Sequence, residues 1–359
     1  MWNAMTRAGT SLMERGLLPD ALVRRGIRGL CAQRLREEDA GGDEAQRESL
    51  RRFIALMDAG PIAPVPEKAN EQHYELPAAF FELVLGRHCK YSSCLWSDGV
   101  ASLDEAEELA LAATCEHADL RDGQEVLELG CGWGSLSLWM GERFPGSRIV
   151  AVSNSAPQRA FIEARAAQRG LANVSVITRD MNAFQTDLRF DRIISVEMFE
   201  HMRNWRALLR RAASWLRPDG MMLLHVFVHR RFAYEFDTQG AANWLGRHFF
   251  TGGIMPSEDL PLHVADGLRV IERWHWPGTH YQRTANAWLA NLDARRSDAM
   301  KTLAACYGTA QARRWLHRWR VFFMACAELW GYAGGDEWGV SHYRLAKRPG
   351  ALSTADQRA

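Results

Sequence analysis

The residues with the plainest chemical consequence run from Leu127 to Gly134, LELGCGWG. Glycines at 130, 132 and 134 let a chain turn tightly after a strand and bring its backbone close to a ligand. Glu128 stands two residues before the first of them. A nicotinamide dinucleotide fingerprint would place its third glycine at 135, where this chain has Ser135. A phosphate cradle would follow its glycines with Gly-Lys-Ser/Thr, which is missing here. A structural turn accounts for two glycines; Gly130, Gly132 and Gly134 together with Glu128 point to a cofactor of another kind. Further along, Glu200 and His201 form an adjacent carboxylate–imidazole pair, suited to moving a proton near neutral pH. Either they meet a ligand or they cap the helix that follows. His225 and His229 share a face if they lie in one strand, but no third ligand accompanies them, so no metal centre is expected.

These residues need a scaffold, and the hydropathy pattern supplies one. From Gln124 onward, short apolar strands over 125–129, 148–152, 174–178, 191–196 and 221–228 alternate with helices over 135–144, 157–169 and 205–216. The turn Arg217-Pro218-Asp219-Gly220 leads into the last of those strands. Such alternation predicts an α/β fold with a doubly wound parallel sheet. The glycine loop then follows the first strand, and Glu200 lies at the carboxyl end of the fourth, where such sheets bind ligands. After His229 the alternation stops: a strand over 268–274, helices over 284–307 and 311–330 and a final strand over 338–347 are expected. The chain divides accordingly into an N-terminal helical cap and cofactor-covering segment (1–114), a core (115–276), a helical acceptor-site cap (277–337), and a last strand with tail (338–359). Residues 1–36 read as amphipathic helices with a basic face of Arg24, Arg25, Arg28, Arg34 and Arg36. That face either docks on the body or touches anionic lipid headgroups. Residues 37–50 read as a polar loop, and the Pro-containing stretch 60–68 as a strap.

Composition closes off several classes. Of 359 residues, 47% are hydrophobic and 24% charged, which excludes disorder and leaves ample core. A net charge of +1 offers no surface for nucleic acid. No apolar run is long enough to span a bilayer, and no secretory leader is visible. Seven Cys without CxxC spacing argue against a disulfide framework or a zinc knuckle. A cytoplasmic protein is expected, with peripheral contact to the inner membrane face left open. Fourteen Trp signify packing or an aromatic-lined pocket.

The E-x-G-x-G-x-G form resembles the loop of S-adenosylmethionine (SAM) methyltransferases. On that resemblance Asn154, Ser155 and Gln158 meet the ribose hydroxyls, in place of the usual carboxylate. Asp180 and Met181 form an adenine clamp, a carboxylate for the exocyclic amine and an apolar face for the ring. Taken alone, Asp180 reads as a helix N-cap. With His73-Tyr74-Glu75, Lys90-Tyr91-Ser92, Ser195–Met202 (SVEMFEHM), Leu224-His225 and Gly278-Thr279-His280-Tyr281 in view, the chain resembles the cyclopropane-fatty-acyl-phospholipid synthase family of SAM-dependent enzymes from about residue 70 to residue 347. Residues 16–20 (GLLPD), 249–256 (FFTGGIMP) and 335–338 (GDEW) make it more similar to the coclaurine N-methyltransferase-like branch, over nearly the whole chain. The resemblance implies a seven-stranded class I SAM-dependent methyltransferase (Rossmann-like) core with a helical cap, and SAM as co-substrate. Tyr74, Tyr91 and Ser92 would border its methionine end, with Glu197 and Trp133 nearby.

Two acceptor chemistries follow from the resemblance. In the lipid enzymes it implies a bound bicarbonate as base, held by residues that carry over to Ser93, Glu200, His225 and Tyr281. Ser93 stands where that family has Cys, and the adjacent Cys94 is aimed elsewhere by the one-residue shift. The acceptor would then be a phospholipid acyl chain, cyclopropanated or methylated at its double bond. In the N-methyltransferase branch it implies that Glu200 attracts an ammonium and His201 takes its proton, with a small-molecule amine as acceptor; this is the leading expectation. A SAM-binding protein without turnover is a third reading. His225, inside an apolar strand, also reads as a core histidine. The rings of Trp244, Phe249, Phe250, Trp274, Trp276, Tyr281 and Trp330 are candidates to line the acceptor pocket, by cation–π attraction or burial. Oligomeric state is not legible.

Overall fold

The protein is described by a computed structural model over residues 9–65, 76–240 and 243–348. Five strands, β1 (Glu125–Leu129), β2 (Arg148–Ser153), β3 (Val174–Thr178), β4 (Phe190–Val196) and β5 (Leu216–His229), lie parallel in the order β3-β2-β1-β4-β5. Their central members are mostly buried because helices cover both faces of the sheet. Strands β6 (Tyr234–Glu235) and β7 (Ile254–Met255) form a separate two-stranded pair. The last two strands, β8 (Leu268–Pro277) and β9 (Trp338–Lys347), complete a seven-stranded sheet in which β9 runs antiparallel between β5 and β8. Because β2 lies on one side of β1 and β4 on the other, the carboxyl ends of β1 and β4 flank the switch point of the sheet, where a ligand crevice opens. The expected turn at residues 217–220 is instead the start of β5, accommodated by a register shift against β4 between Phe190 and Arg192.

Other elements differ from expectation as well. Residues 43–50 are not loop but the first half of a helix, Asp43–Ala59. Its apolar side, Leu50, Phe53, Ile54 and Met57, packs on the sheet's core, so the polar stretch is the solvent face of a helix rather than a break. The helix Leu103–His117 carries a capping box: Ser102 Oγ accepts from the Glu105 amide at 3.2 Å, and the Glu105 carboxylate accepts from the Ser102 amide at 3.0 Å. The single long helix expected over 284–307 is two, Gly278–Ala294 and Arg296–Tyr307. They part at Arg295, whose guanidinium donates to the Leu83 carbonyl at 2.7 Å. The first begins at Gly278 because a Cβ there would meet the Trp330 carbonyl at 2.1 Å and the Trp338 carbonyl at 2.2 Å.

These helices pack with Thr309–Trp330, Ala78–Val84 and the N-terminal helix Asp20–Glu38 into a layer beside the sheet. The N-terminal basic face is turned inward at its centre. Arg24 donates to Glu328 and to Asn286, each at 2.8 Å, and Arg28 also pairs with Glu328. The residues just ahead of this helix are anchored by Glu14, which accepts from Trp244 Nε1 at 3.0 Å and pairs with Arg314 and Arg318. Trp205, Trp215, Trp288, Trp319 and Trp338 are fully buried, so much of the tryptophan excess is packing. Among the described residues no helix is long and apolar enough to cross a membrane.

Candidate active site

The glycine loop turns after β1 with three left-handed residues, Gly130 (φ 81°), Gly132 (φ 50°) and Gly134 (φ 79°). Their reasons differ. A Cβ on Gly130 would strike Met198 at 2.5 Å and one on Gly134 would strike Ile162 at 2.5 Å, whereas one on Gly132 would find no atom within 4 Å. Gly130 and Gly134 are glycines for packing; Gly132 opens onto a cavity. On one side that cavity is lined by Asn154, Gln158, Asp180, Met181, Glu197 and His201. A second compartment, sharing Gly130, Gly132 and Glu197, is lined by Lys90, Tyr91, Ser92, Glu128, Trp133 and Ser135.

SAM fits this pair of compartments. The compartment with Asn154, Gln158, Asp180 and Met181 has groups that could hold a nucleoside, and the one with Tyr91, Ser92 and Glu128 has groups that could hold an amino-acid end. Three buried polar atoms around the loop, Gln158 Nε2, Trp133 Nε1 and Ser135 Oγ, have no hydrogen-bond partner among the described residues, which is the state expected of groups awaiting a ligand. Glu128 is fully buried and bonded by the Ser137 hydroxyl. Burial raises its carboxyl to about 7, the Ser137 bond opposing, so a cationic ligand group beside it would stabilise its charge. Ser155 is absent from both linings. Its hydroxyl accepts from the Gln158 amide and caps the helix Ala156–Gln168. Tyr74 lies outside the described residues.

At the end of β4 the chain turns through Glu197, whose φ is +46°. Two donors and an imidazole converge on its carboxylate. The Ser93 amide donates to Oε1 at 2.9 Å, the Tyr281 hydroxyl donates to Oε2 at 2.7 Å, and His225 Nε2 lies 3.3 Å from Oε1. These are the residues expected around a bicarbonate, and here they surround the protein's own carboxylate. The site therefore does not fit a bound bicarbonate. Ser93 contributes its amide; its hydroxyl turns to the Cys94 carbonyl at 3.4 Å, and the Cys94 thiol is buried. Lys90, buried beside this cluster, anchors its turn by donating to Ser92 Oγ at 2.5 Å and to the Ser93 carbonyl at 2.6 Å. It lines the second compartment, although the sequence presents it only within the Lys90-Tyr91-Ser92 marker.

Glu200 and His201 lie on one short turn, Phe199–His201, but face different surroundings. Glu200 is completely buried, its Oε1 accepting from the Phe227 amide at 2.7 Å while Oε2 has no hydrogen-bond partner among the described residues. Burial, and next the neighbouring Glu197 charge, push the Glu200 carboxyl well above the usual range. Burial also raises Glu197, opposed by the Lys90 charge, the Ser93 amide and the Tyr281 hydroxyl. Of two adjacent carboxyls that share low-dielectric space, Glu197 is the one that ionises first. His201 reaches the cavity wall and packs on Phe250 with ring centroids 4.5 Å apart. Among the expected aromatic residues, Tyr281 stacks on Trp330 at 4.7 Å, while Trp274 stacks on His117, away from the crevice, and Phe249 is core.

Residues 65–333 match the family described as Mycolic acid cyclopropane synthetase. The (S)-coclaurine N-methyltransferase of Thalictrum flavum subsp. glaucum is 33% identical over 340 residues, covering 94% of this chain and 94% of that protein. The cyclopropane-fatty-acyl-phospholipid synthase of Escherichia coli strain K12 is 30% identical over 268 residues, covering 71% of this chain and 67% of that one. A crystal structure of coclaurine N-methyltransferase bound to N-methylheliamine and SAH superposes with a TM-score of 0.91 at 32% identity, covering 94% of this chain and 98% of that chain.

Proposed function

The chain belongs to the mycolic acid cyclopropane synthetase family of SAM-dependent methyltransferases, and we propose that within it this enzyme N-methylates small aromatic amines, with Glu197 as the charged base. The observation that carries this reading is the Glu197 carboxylate held among Ser93, Tyr281 and His225, three of the four residues that the resemblance implies around a bicarbonate. A fixed carboxylate, bonded by Ser93 and Tyr281 and faced by His225, attracts an ammonium and accepts its proton. Bound SAM supplies an electrophilic methyl group. The residues supply the rest. Gly132 leaves room for the cofactor, Glu197 draws the amine to the crevice and takes its proton, and burial excludes competing water. Glu200, kept protonated by burial and then by its neighbour's charge, preserves a single charge in the site. His201 is a second neutral-pH proton acceptor on the same wall.

The acceptor's approach is aromatic. An apolar cavity of about 470 Å³ lies between the N-terminal helix and the segment around Tyr234, Phe236 and Trp244, within the size range of small-ligand pockets. From Phe236 a run of rings leads inward: Phe250 at 4.8 Å, then His201 at 4.5 Å from Phe250, with Phe227 5.6 Å from Phe250 and Trp330 5.3 Å from Phe227. Such walls suit an aromatic cation through stacking and cation–π attraction. Methyl-labelled SAM incubated with a panel of isoquinoline amines including coclaurine, and separately with lipid extract, tests the reading. Label in aqueous products 14 mass units heavier (one CH₂) is expected; label confined to acyl chains overturns it.

A further inference from the structure

Behind Glu197 stands a row of three histidines. Strand pairing sets His225 of β5 directly opposite His342 of β9, so both side chains leave the same face of the sheet. Both are fully buried, with ring centroids 4.3 Å apart. On the inner side, His225 Nε2 lies 3.3 Å from Glu197 Oε1. On the outer side, His342 Nδ1 lies 2.7 Å from Nδ1 of His117, the half-buried last residue of the helix Leu103–His117. Trp274 stacks on His117 at 3.9 Å and Trp276 covers His342 at 4.3 Å, holding the rings in line.

Plain packing explains this row poorly. His225 Nδ1 and His342 Nε2 are buried with no hydrogen-bond partner among the described residues. Each such group loses its hydration without a bond in return, and apolar residues would fill the same space without that cost. A metal centre does not explain it either, since no cluster of three His, Cys, Asp or Glu among the described residues has the geometry to hold an ion. What the three rings share is the capacity of a neutral imidazole to accept a proton on one nitrogen and release one from the other. They are kept neutral by their setting. Burial, then Lys90 on the inner side, lowers His225; burial, then the neighbouring imidazoles and Lys90, lowers His342; burial, then Arg344, lowers His117 to about 4.

We propose that Glu197, His225, His342 and His117 form a relay that carries the substrate's proton from the buried base to solvent. The proposal rests on Glu197 as base. An amine that arrives as ammonium and leaves as its methylated ammonium releases one proton per turnover, because the sulfonium charge of SAM is lost. The substrate N–H bond breaks and its proton passes to Glu197, while the freed electron pair forms the N–CH₃ bond as the S–CH₃ bond breaks and leaves its pair on sulfur. From there it moves to Nε2 of His225 in its Nδ1–H tautomer, which releases its Nδ1 proton toward His342 Nε2. His342 in turn releases from Nδ1 to His117 Nδ1, and His117 releases from Nε2 to water. A bridging water or a small rotation closes the step between His225 and His342.

Two measurements on the full-length protein test the relay. In the first, ¹⁵N-histidine NMR compares the wild type with Glu197→Gln. Altered tautomer populations at His225, His342 and His117 are expected, and a change that stops at His225 overturns the relay. In the second, His117→Ala is assayed in weak buffer with an amine methylated in the panel above. Turnover is expected to fall roughly tenfold and to recover in imidazole buffer, as a proton-transfer step does, with KM for SAM unchanged. No loss, or a loss that imidazole leaves unrestored, overturns the proposal. Should no amine be methylated, the acceptor reading fails, and the NMR comparison still decides the relay.

Discussion

Glu197 occupies a left-handed backbone position at φ +46°, which costs a residue with a Cβ about 1 kcal/mol. A glycine would sit there without strain. The strain is offset by the bonds from Ser93 and Tyr281 and the contact with His225. These are made only because the backbone turns the carboxylate inward. Glu197→Gln keeps the shape and removes the charge, so turnover should fall roughly 100-fold, the scale of a lost general base, with SAM affinity nearly unchanged. Glu200→Gln, which mimics a carboxyl already protonated, should cost much less. Equal losses, measured as single-turnover rates, would return the base to Glu200. Gly132→Val fills the space left open at the loop and should weaken SAM binding roughly 100-fold by calorimetry, equivalent to about 3 kcal/mol. Unchanged binding with an intact circular dichroism spectrum would remove the cofactor from this crevice.

At the scale of elements, docking of the N-terminal region depends on one buried carboxylate. Burial alone would raise Glu14, but the bonds from Trp244, Arg318 and Arg314 lower it from 4.5 to about 2. A carboxyl with a depressed folded pKa stabilises the protein fully above its unfolded pKa, and that contribution is lost as pH falls from about 4.5 toward about 2. It is worth about 3 kcal/mol. Glu14→Gln should therefore lower the melting temperature at neutral pH and flatten the acid limb of the stability curve over that window; parallel curves for the two proteins would contradict it. The strands and the glycine loop were legible in the chain because apolar runs and glycine spacing are local signals. The helix Asp43–Ala59 was hidden by its polar solvent face. The break at Arg295 was hidden because its guanidinium bonds to the Leu83 carbonyl, far away in sequence. For the same reason, the family resemblance implied Ser93, Glu200, His225 and Tyr281 as an anion-binding group. That Ser93, His225 and Tyr281 close on Glu197 follows from register and a backbone angle, which no motif encodes.

The whole molecule combines a sheet whose switch point holds the cofactor crevice with a helical layer whose rings lead to it. Tyr281 joins the two. It lies in the first turns of Gly278–Ala294, stacks on Trp330 from the helix Thr309–Trp330, and donates its hydroxyl to Glu197 at the end of β4. The helical layer thus fixes the Glu197 carboxylate. On the proposed function Glu197 replaces a diffusible anion, and substituting the residue that the left-handed backbone would prefer tests this directly. Methyl transfer by wild type and Glu197→Gly would be compared in carbon-dioxide-free buffer, with and without added bicarbonate. The wild type should be indifferent to bicarbonate, and the variant nearly inactive until bicarbonate restores part of its rate. A wild type that requires bicarbonate, or a variant that keeps full activity without it, would contradict the account.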